Sequence, residues 1–101
     1  MACCLIFATG SVASLMAAGD VAKGKAEFGQ CSSCHNADST ERKMGPGLKG
    51  LFKKEKMADG KKASESNVRT KIDDGGNGMP AYKELLTAPQ KENLLAYLKT
   101  L

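Results

Sequence analysis

Cys31-Ser32-Ser33-Cys34-His35 is the one run in this chain whose residue types and spacing prescribe a chemistry. Two thiols separated by two residues and followed at once by an imidazole form the pattern of covalent haem attachment. There each thiol adds across one vinyl group of the porphyrin, and the adjacent histidine ligates the iron. Two intervening residues let one turn of backbone present both sulfurs to one porphyrin edge, and the next residue swings its imidazole under the metal. His35 is the only histidine in the chain, which removes several competing chemistries. A haem held by two histidines of one chain is impossible. A hydrolase would have to use an imidazole locked beside two thiols. A zinc site would lack a fourth cysteine or histidine beyond residue 19, and adjacent Cys34 and His35 are poorly placed to ligate one tetrahedral ion. A thioredoxin-like dithiol wants a strand-to-helix setting that is not present. A plain Cys31–Cys34 disulfide is the remaining alternative.

The iron of such a site takes a sixth ligand, for which a thioether sulfur is a natural soft partner. The chain offers Met1, Met16, Met44, Met57 and Met79. Met1 and Met16 lie in the N-terminal stretch discussed below. Met44 is nine residues beyond His35 and its neighbours are needed on the histidine side, while Met57 sits in the lysine-rich run 53–62. Met79 follows Gly75-Gly76-Asn77-Gly78, precedes Pro80, and stands 44 residues on from His35, chain enough to pass round a porphyrin. Glycines there let backbone approach something flat and bulky. Met79 is therefore the expected ligand. A histidine bound to iron also needs its other ring nitrogen oriented, and the rigid turn Gly45-Pro46-Gly47 supplies a candidate carbonyl at Pro46.

The elements that must position these residues read as helices and turns. Asp20 is a good N-cap, and Val21, Gly24 and Phe28 recur at three- and four-residue steps, so a helix is expected from about Val21 to Gln30, running into the cysteine site. Gly24 makes sense inside it if another helix crosses closely at that point. After His35 comes a polar loop, then a turn-rich segment around Leu48, Leu51 and Phe52. The run 53–62 reads as a solvated loop. A short helix follows from Ser64 or Ser66, with Val68 and Ile72 at a four-residue step and a stop at Gly75-Gly76. Asp73 and Asp74 stand at the wrong end of it for the helix dipole, which marks it as short and weak. Thr87-Ala88-Pro89-Gln90 is a capping box with proline in the first turn. It opens the clearest helix, to about Thr100, with Leu94, Leu95, Tyr97, Leu98 and Leu101 on its apolar face. With no β-strand runs and no repeat, the class is all-α: three to four helices with loops.

At 101 residues the chain is at most one domain. Residues 1–19 contain no charged side chain, whereas all 15 basic and 11 acidic residues lie from Asp20 on. The first stretch has an apolar middle and ends in small residues, as a secretory signal peptide does, although no Lys or Arg stands near Met1. An uncleaved anchor is the alternative, and its 19 residues would barely cross a bilayer core of about 30 Å. Removal leaves a domain of residues 20–101 destined for the periplasm. So small a chain, with few aromatics and no tryptophan, needs a staple beyond its own core, and a buried haem would supply one. The net charge of +4 is modest and carries no aromatic interleaving, so nucleic acid is not the expected partner.

From residue 19 on, the chain resembles the class I c-type cytochromes, the family of mitochondrial cytochrome c and its small bacterial relatives. The resemblance rests on Gly19-Asp20-Val21-x-Lys23-Gly24-Lys25 with Phe28, on CSSCH, on Gly45-Pro46-x-Leu48-x-Gly50-Leu51-Phe52, on Gly78-Met79-Pro80-Ala81 and on Leu94-Leu95-Ala96-Tyr97-Leu98. It implies the cytochrome c fold around one haem c, bound through Cys31 and Cys34 with His35 and Met79 as axial ligands. It implies a monomeric electron carrier rather than an enzyme, docking through its lysines on acidic redox partners, with no stable membrane insertion once the signal is gone. It also implies that Gly24 and Phe28 meet Leu94 and Tyr97, and that the Pro46 carbonyl rests on His35. A haem protein with a labile sixth position, peroxidase-like or gas-binding, is the alternative, and it lacks a distal histidine. Two departures stand out. Phe28 is three residues from Cys31, one fewer than in the mitochondrial pattern, so a tightened junction is expected. The propionate-binding tryptophan is missing, leaving Arg69, Lys56 and Tyr82 as candidates for that role.

Overall fold

The protein is described by a computed structural model covering residues 19–101. The expected signal stretch lies, but for Gly19, outside the described residues. Three α-helices appear among the described residues: α1 (Val21–Glu27), α2 (Glu65–Asp74) and α3 (Ala88–Leu98). There are no strands among them, only two isolated antiparallel bridges, Lys56 with Lys62 and Gly76 with Met79.

Asp20 caps α1 as expected, its Oδ1 accepting the Lys23 amide at 3.0 Å. The helix does not keep one geometry to Gln30. After Glu27 it tightens into a 3-10 turn over Phe28–Gln30. A 3-10 turn closes with three residues instead of 3.6, which is how the short Phe28–Cys31 spacing is accommodated. The Cys31 and Ser32 amides both donate to the Phe28 carbonyl, at 2.8 and 3.0 Å. The next turn is closed the same way, the Cys34 and His35 amides donating to the Cys31 carbonyl at 3.1 and 3.0 Å.

α3 begins with both arms of the capping box made: Gln90 N donates to Thr87 Oγ1 at 3.3 Å and Thr87 N to Gln90 Oε1 at 2.8 Å. Leu94, Leu95 and Leu98 are buried, Tyr97 and Leu101 packed at the edge of the core. α1 crosses α3 at Gly24, where a Cβ would overlap the Asn93 carbonyl and come within 2.8 Å of the Tyr97 Cβ. One turn on, the Phe28 and Tyr97 rings meet at 5.5 Å with a 57° tilt, a favourable edge-on geometry. The Asp20 amide adds a 2.8 Å hydrogen bond to Asn93 Oδ1. The predicted contact between first and last helices is therefore present.

α2 is capped by Ser64, whose Oγ accepts the Asn67 amide at 3.2 Å, and it buries Val68 and Ile72. Its Asp73, unfavourably placed for the helix dipole, has a cationic partner on α3: Lys91 Nζ lies 2.6 Å from Asp73 Oδ1. The run 53–62 is solvated at its lysines but not throughout. Met57 tucks against the core, and Met57 N donates to the Lys61 carbonyl at 2.8 Å, closing a small bridged loop. The core holds Phe28, Leu51, Val68, Ile72, Leu86, Leu94, Leu95 and Leu98.

Candidate haem site

The turn that follows α1 presents both cysteines and the imidazole from one compact piece of backbone. Cys31 and Cys34 are free thiols, each half-buried, with no disulfide between them. Burial, and behind it the neighbouring Cys34, push the Cys31 thiol above its ordinary value, so the two sulfurs share one partly dry environment. The turn is pinned from across the loop. Gly45 N donates to the Cys34 carbonyl at 2.7 Å, and Lys43 Nζ donates to the Ser32 carbonyl at 2.9 Å.

His35 is held by the turn expected to hold it. Its Nδ1 lies 2.8 Å from the Pro46 carbonyl oxygen. A carbonyl only accepts, so Nδ1 carries the proton and Nε2 keeps its lone pair free for a metal. The ring lies against Gly45: a Cβ there would stand 2.5 Å from His35 Cε1 and 2.9 Å from Nδ1. Sequence reasoning assigned Gly45 no role of its own. The one available signal was a glycine directly before the orienting proline.

Met79 comes from the opposite side of the sequence and is half-buried against the core. Its loop is a tight reversal hung on the end of α2. Gly75 carries a φ of 66°, and a Cβ there would overlap the Met79 carbonyl, so glycine is required twice over. Gly76 N donates to Met79 O at 2.9 Å and Met79 N to Gly76 O at 3.1 Å. Beyond Pro80, Tyr82 N donates to the Ile72 carbonyl at 2.9 Å and Lys83 N to the Asp73 carbonyl at 3.2 Å. Burial, then Cys31, then Cys34 push the Tyr82 phenol above its ordinary value. Tyr82, three residues beyond Met79, thus lies within electrostatic reach of the cysteine turn.

Two of the other methionines are placed differently. Met44 is 77% exposed, with its Sδ 3.8 Å from Cys34 Sγ. Met57 packs on the core from the bridged loop. Of the propionate candidates, Arg69 is engaged by Glu92 and Glu65. Lys56 is exposed, and Tyr82 sits at the core edge.

The donor set fits a haem: two unbonded thiols, an imidazole with its tautomer set for Nε2 ligation, and a thioether. The surroundings fit as well. Cys31, Leu48, Phe52, Met57, Met79 and Tyr82, from four segments, border the core half-buried, an apolar lining that a flat hydrophobic group would cover. A cleft of about 460 Å³ lined by Phe52, Lys54, Glu55, Lys56, Lys62 and Ala63 contains none of the four donors.

Comparison with known proteins gives the same picture. Residues 19–98 match the family model described as cytochrome C oxidase, cbb3-type, subunit III. Cytochrome c2 of Agrobacterium tumefaciens (strain II Chrys) is 35% identical over 79 residues, covering 73% of this chain and 68% of the relative. Cytochrome c6 of Rippkaea orientalis is 38% identical over 82 residues, covering 80% and 70%, and cytochrome c6 of Synechocystis is 34% identical, covering 94% and 78%. Among solved structures, cytochrome cH from Methylobacterium extorquens superposes with a TM-score of 0.62 at 24% identity, over 82% of this chain and all of that one.

Proposed function

The chain belongs to the class I c-type cytochromes, and from that membership we propose that Cys31 and Cys34 anchor its haem c while His35 and Met79 ligate the iron. The protein is an electron carrier with one covalent haem, not an enzyme. When bound, the haem supplies one-electron exchange between ferric and ferrous iron. What the chain contributes is attachment, orientation and exclusion of competitors. Cys31 and Cys34 would hold the cofactor as thioethers, each thiol adding as sulfur and hydrogen across one vinyl group without loss of atoms. His35 donates Nδ1–H to the Pro46 carbonyl and offers Nε2, an arrangement that raises ligand basicity and holds the ring plane. Met79 would supply a thioether to the iron, and such ligation with burial would favour the ferrous state relative to a bis-histidine site.

The observation that carries this reading is the 2.8 Å His35 Nδ1–Pro46 O contact, because it leaves one nitrogen, on the residue next to Cys34, available to a metal. Export to the periplasm follows from the uncharged stretch 1–19. No helix among the described residues is long and apolar enough to cross a membrane. An electron carrier meets redox partners, and the net charge of +4 before the propionates are counted suits a monomer steered to acidic docking surfaces, with association slowing as salt rises.

Met79→Ala tests the axial assignment. The variant is expected to keep its covalent haem, become high-spin in the ferric state and show a lower reduction potential. An unchanged ferric spectrum would remove Met79 from the iron and restore the labile-site alternative.

A further inference from the structure

α2 and α3 run antiparallel and face one another with charges of alternating sign. On α2, Glu65, Arg69 and Asp73 recur every four residues and so form one stripe. Just past the end of α3 and then along it, Lys99, Glu92 and Lys91 answer them in reverse order: Lys99 Nζ lies 2.8 Å from Glu65 Oε2, Arg69 pairs with Glu92, and Lys91 Nζ lies 2.6 Å from Asp73 Oδ1. A slip of one turn would set like charges opposite each other. The pairs are not equivalent. Side-chain exposure is 48% and 45% for Lys99 and Glu65, and 33% and 35% for Arg69 and Glu92. It falls to 13% and 23% for Lys91 and Asp73. Asp73 Oδ1 is fully buried and takes no aligned hydrogen bond, so Lys91 is its one charge partner among the described residues.

The deepest pair is also the one beside the methionine loop. The Asp73 carbonyl accepts the Lys83 amide, the Ile72 carbonyl accepts the Tyr82 amide, and Gly75 begins the reversal to Met79. We infer that the Lys91–Asp73 pair is a latch: it fastens the last turn of α2 to α3 and thereby holds the Gly75–Lys83 loop, and Met79 within it, in place. Lys91 and Asp73 are positioning residues, acting on the iron only through that loop. The iron part of the inference rests on the assignment of Met79 as ligand; the loop part does not. Removing one member of a buried pair leaves the other uncompensated and is strongly unfavourable, whereas exposed pairs contribute little. The outer Glu65–Lys99 pair is thus the internal control.

The test compares Lys91→Met, Lys91→Arg and Lys99→Met with the parent holoprotein. The two readouts are hydrogen exchange of the Tyr82 and Lys83 amides and the rate of cyanide binding to ferric protein. In Lys91→Met, protection of those two amides is expected to fall about tenfold relative to the Phe28 and Leu98 amides, and cyanide binding to speed up by a similar factor. Lys91→Arg is expected to restore both, and Lys99→Met to change neither. Unchanged protection at Tyr82 and Lys83, or an equal loss at every amide, overturns the latch. Selective loss of protection with cyanide binding equally fast in the parent and in Lys91→Met upholds the latch and overturns Met79 as the ligand.

Discussion

At the scale of single residues, the site depends on how few freedoms are left to His35. Its ring is fixed on one side by a hydrogen bond to the Pro46 carbonyl and on the other by the bare backbone of Gly45. Gly45→Ala inserts a methyl group 2.5 Å from Cε1, which neither the ring nor the turn has room to accept. The variant is expected to keep its haem, to lose about 1–3 kcal/mol of stability by overpacking, and to show displaced His35 ring resonances by NMR; native stability and shifts would refute the contact. The His35–Pro46 contact was legible in the sequence, because a proline between two glycines has few uses next to an iron-bound histidine. The packing role of Gly45 was not, because a glycine beside a proline is ordinary turn chemistry until a neighbour is known. The pairing of Arg69 was not legible: a lone arginine in the sequence does not show that Glu92 and Glu65 are its neighbours in the fold.

At the scale of elements, two kinds of helix contact divide the work. The α1–α3 crossing is steric: Gly24 lets the Asn93 carbonyl approach, and Phe28 stacks on Tyr97. Gly24→Val is expected to destabilise the holoprotein by about 1–3 kcal/mol in denaturant melts, since backbone cannot yield as a side chain can. This crossing was implied by the resemblance to the c-type cytochromes; the spacing of Gly24 alone fitted a tolerated surface glycine equally well. The α2–α3 contact is electrostatic, and it could not be read ahead. Asp73 and Lys91 are separated by a whole loop in sequence, and nothing in either helix alone says which turn faces which. The hydrogen bond from Lys99, offset in part by burial and helped by the charges of Lys99 and Arg69, holds the Glu65 carboxyl below its usual value. A depressed folded value means the pair adds stability above the unfolded value of about 4.3 and loses it as pH falls through the folded one. Because both side chains are exposed, the expected loss is small, about 0.2–1 kcal/mol. Melts of the parent and Lys99→Met should therefore differ at pH 7 and converge in acid; a difference that does not shrink as the carboxyl is protonated would contradict the assignment.

For the whole molecule, the small core is bordered by the partly buried Leu48, Phe52, Met57, Met79 and Tyr82. The all-α class and the order of helices were legible because each leaves a local mark, a cap, a spacing or a motif. The bridged loop that brings Met57 to the core was hidden by its lysines, whose charge masks one buried residue among them. Everything converges on one claim, that a covalent haem is closed on both sides by His35 and Met79. The visible spectrum of the purified ferric protein tests it most directly. A low-spin spectrum with a weak far-red sulfur-to-iron band, lost in Met79→Ala, is the predicted result. A high-spin spectrum without that band, in protein carrying covalent haem, would contradict it.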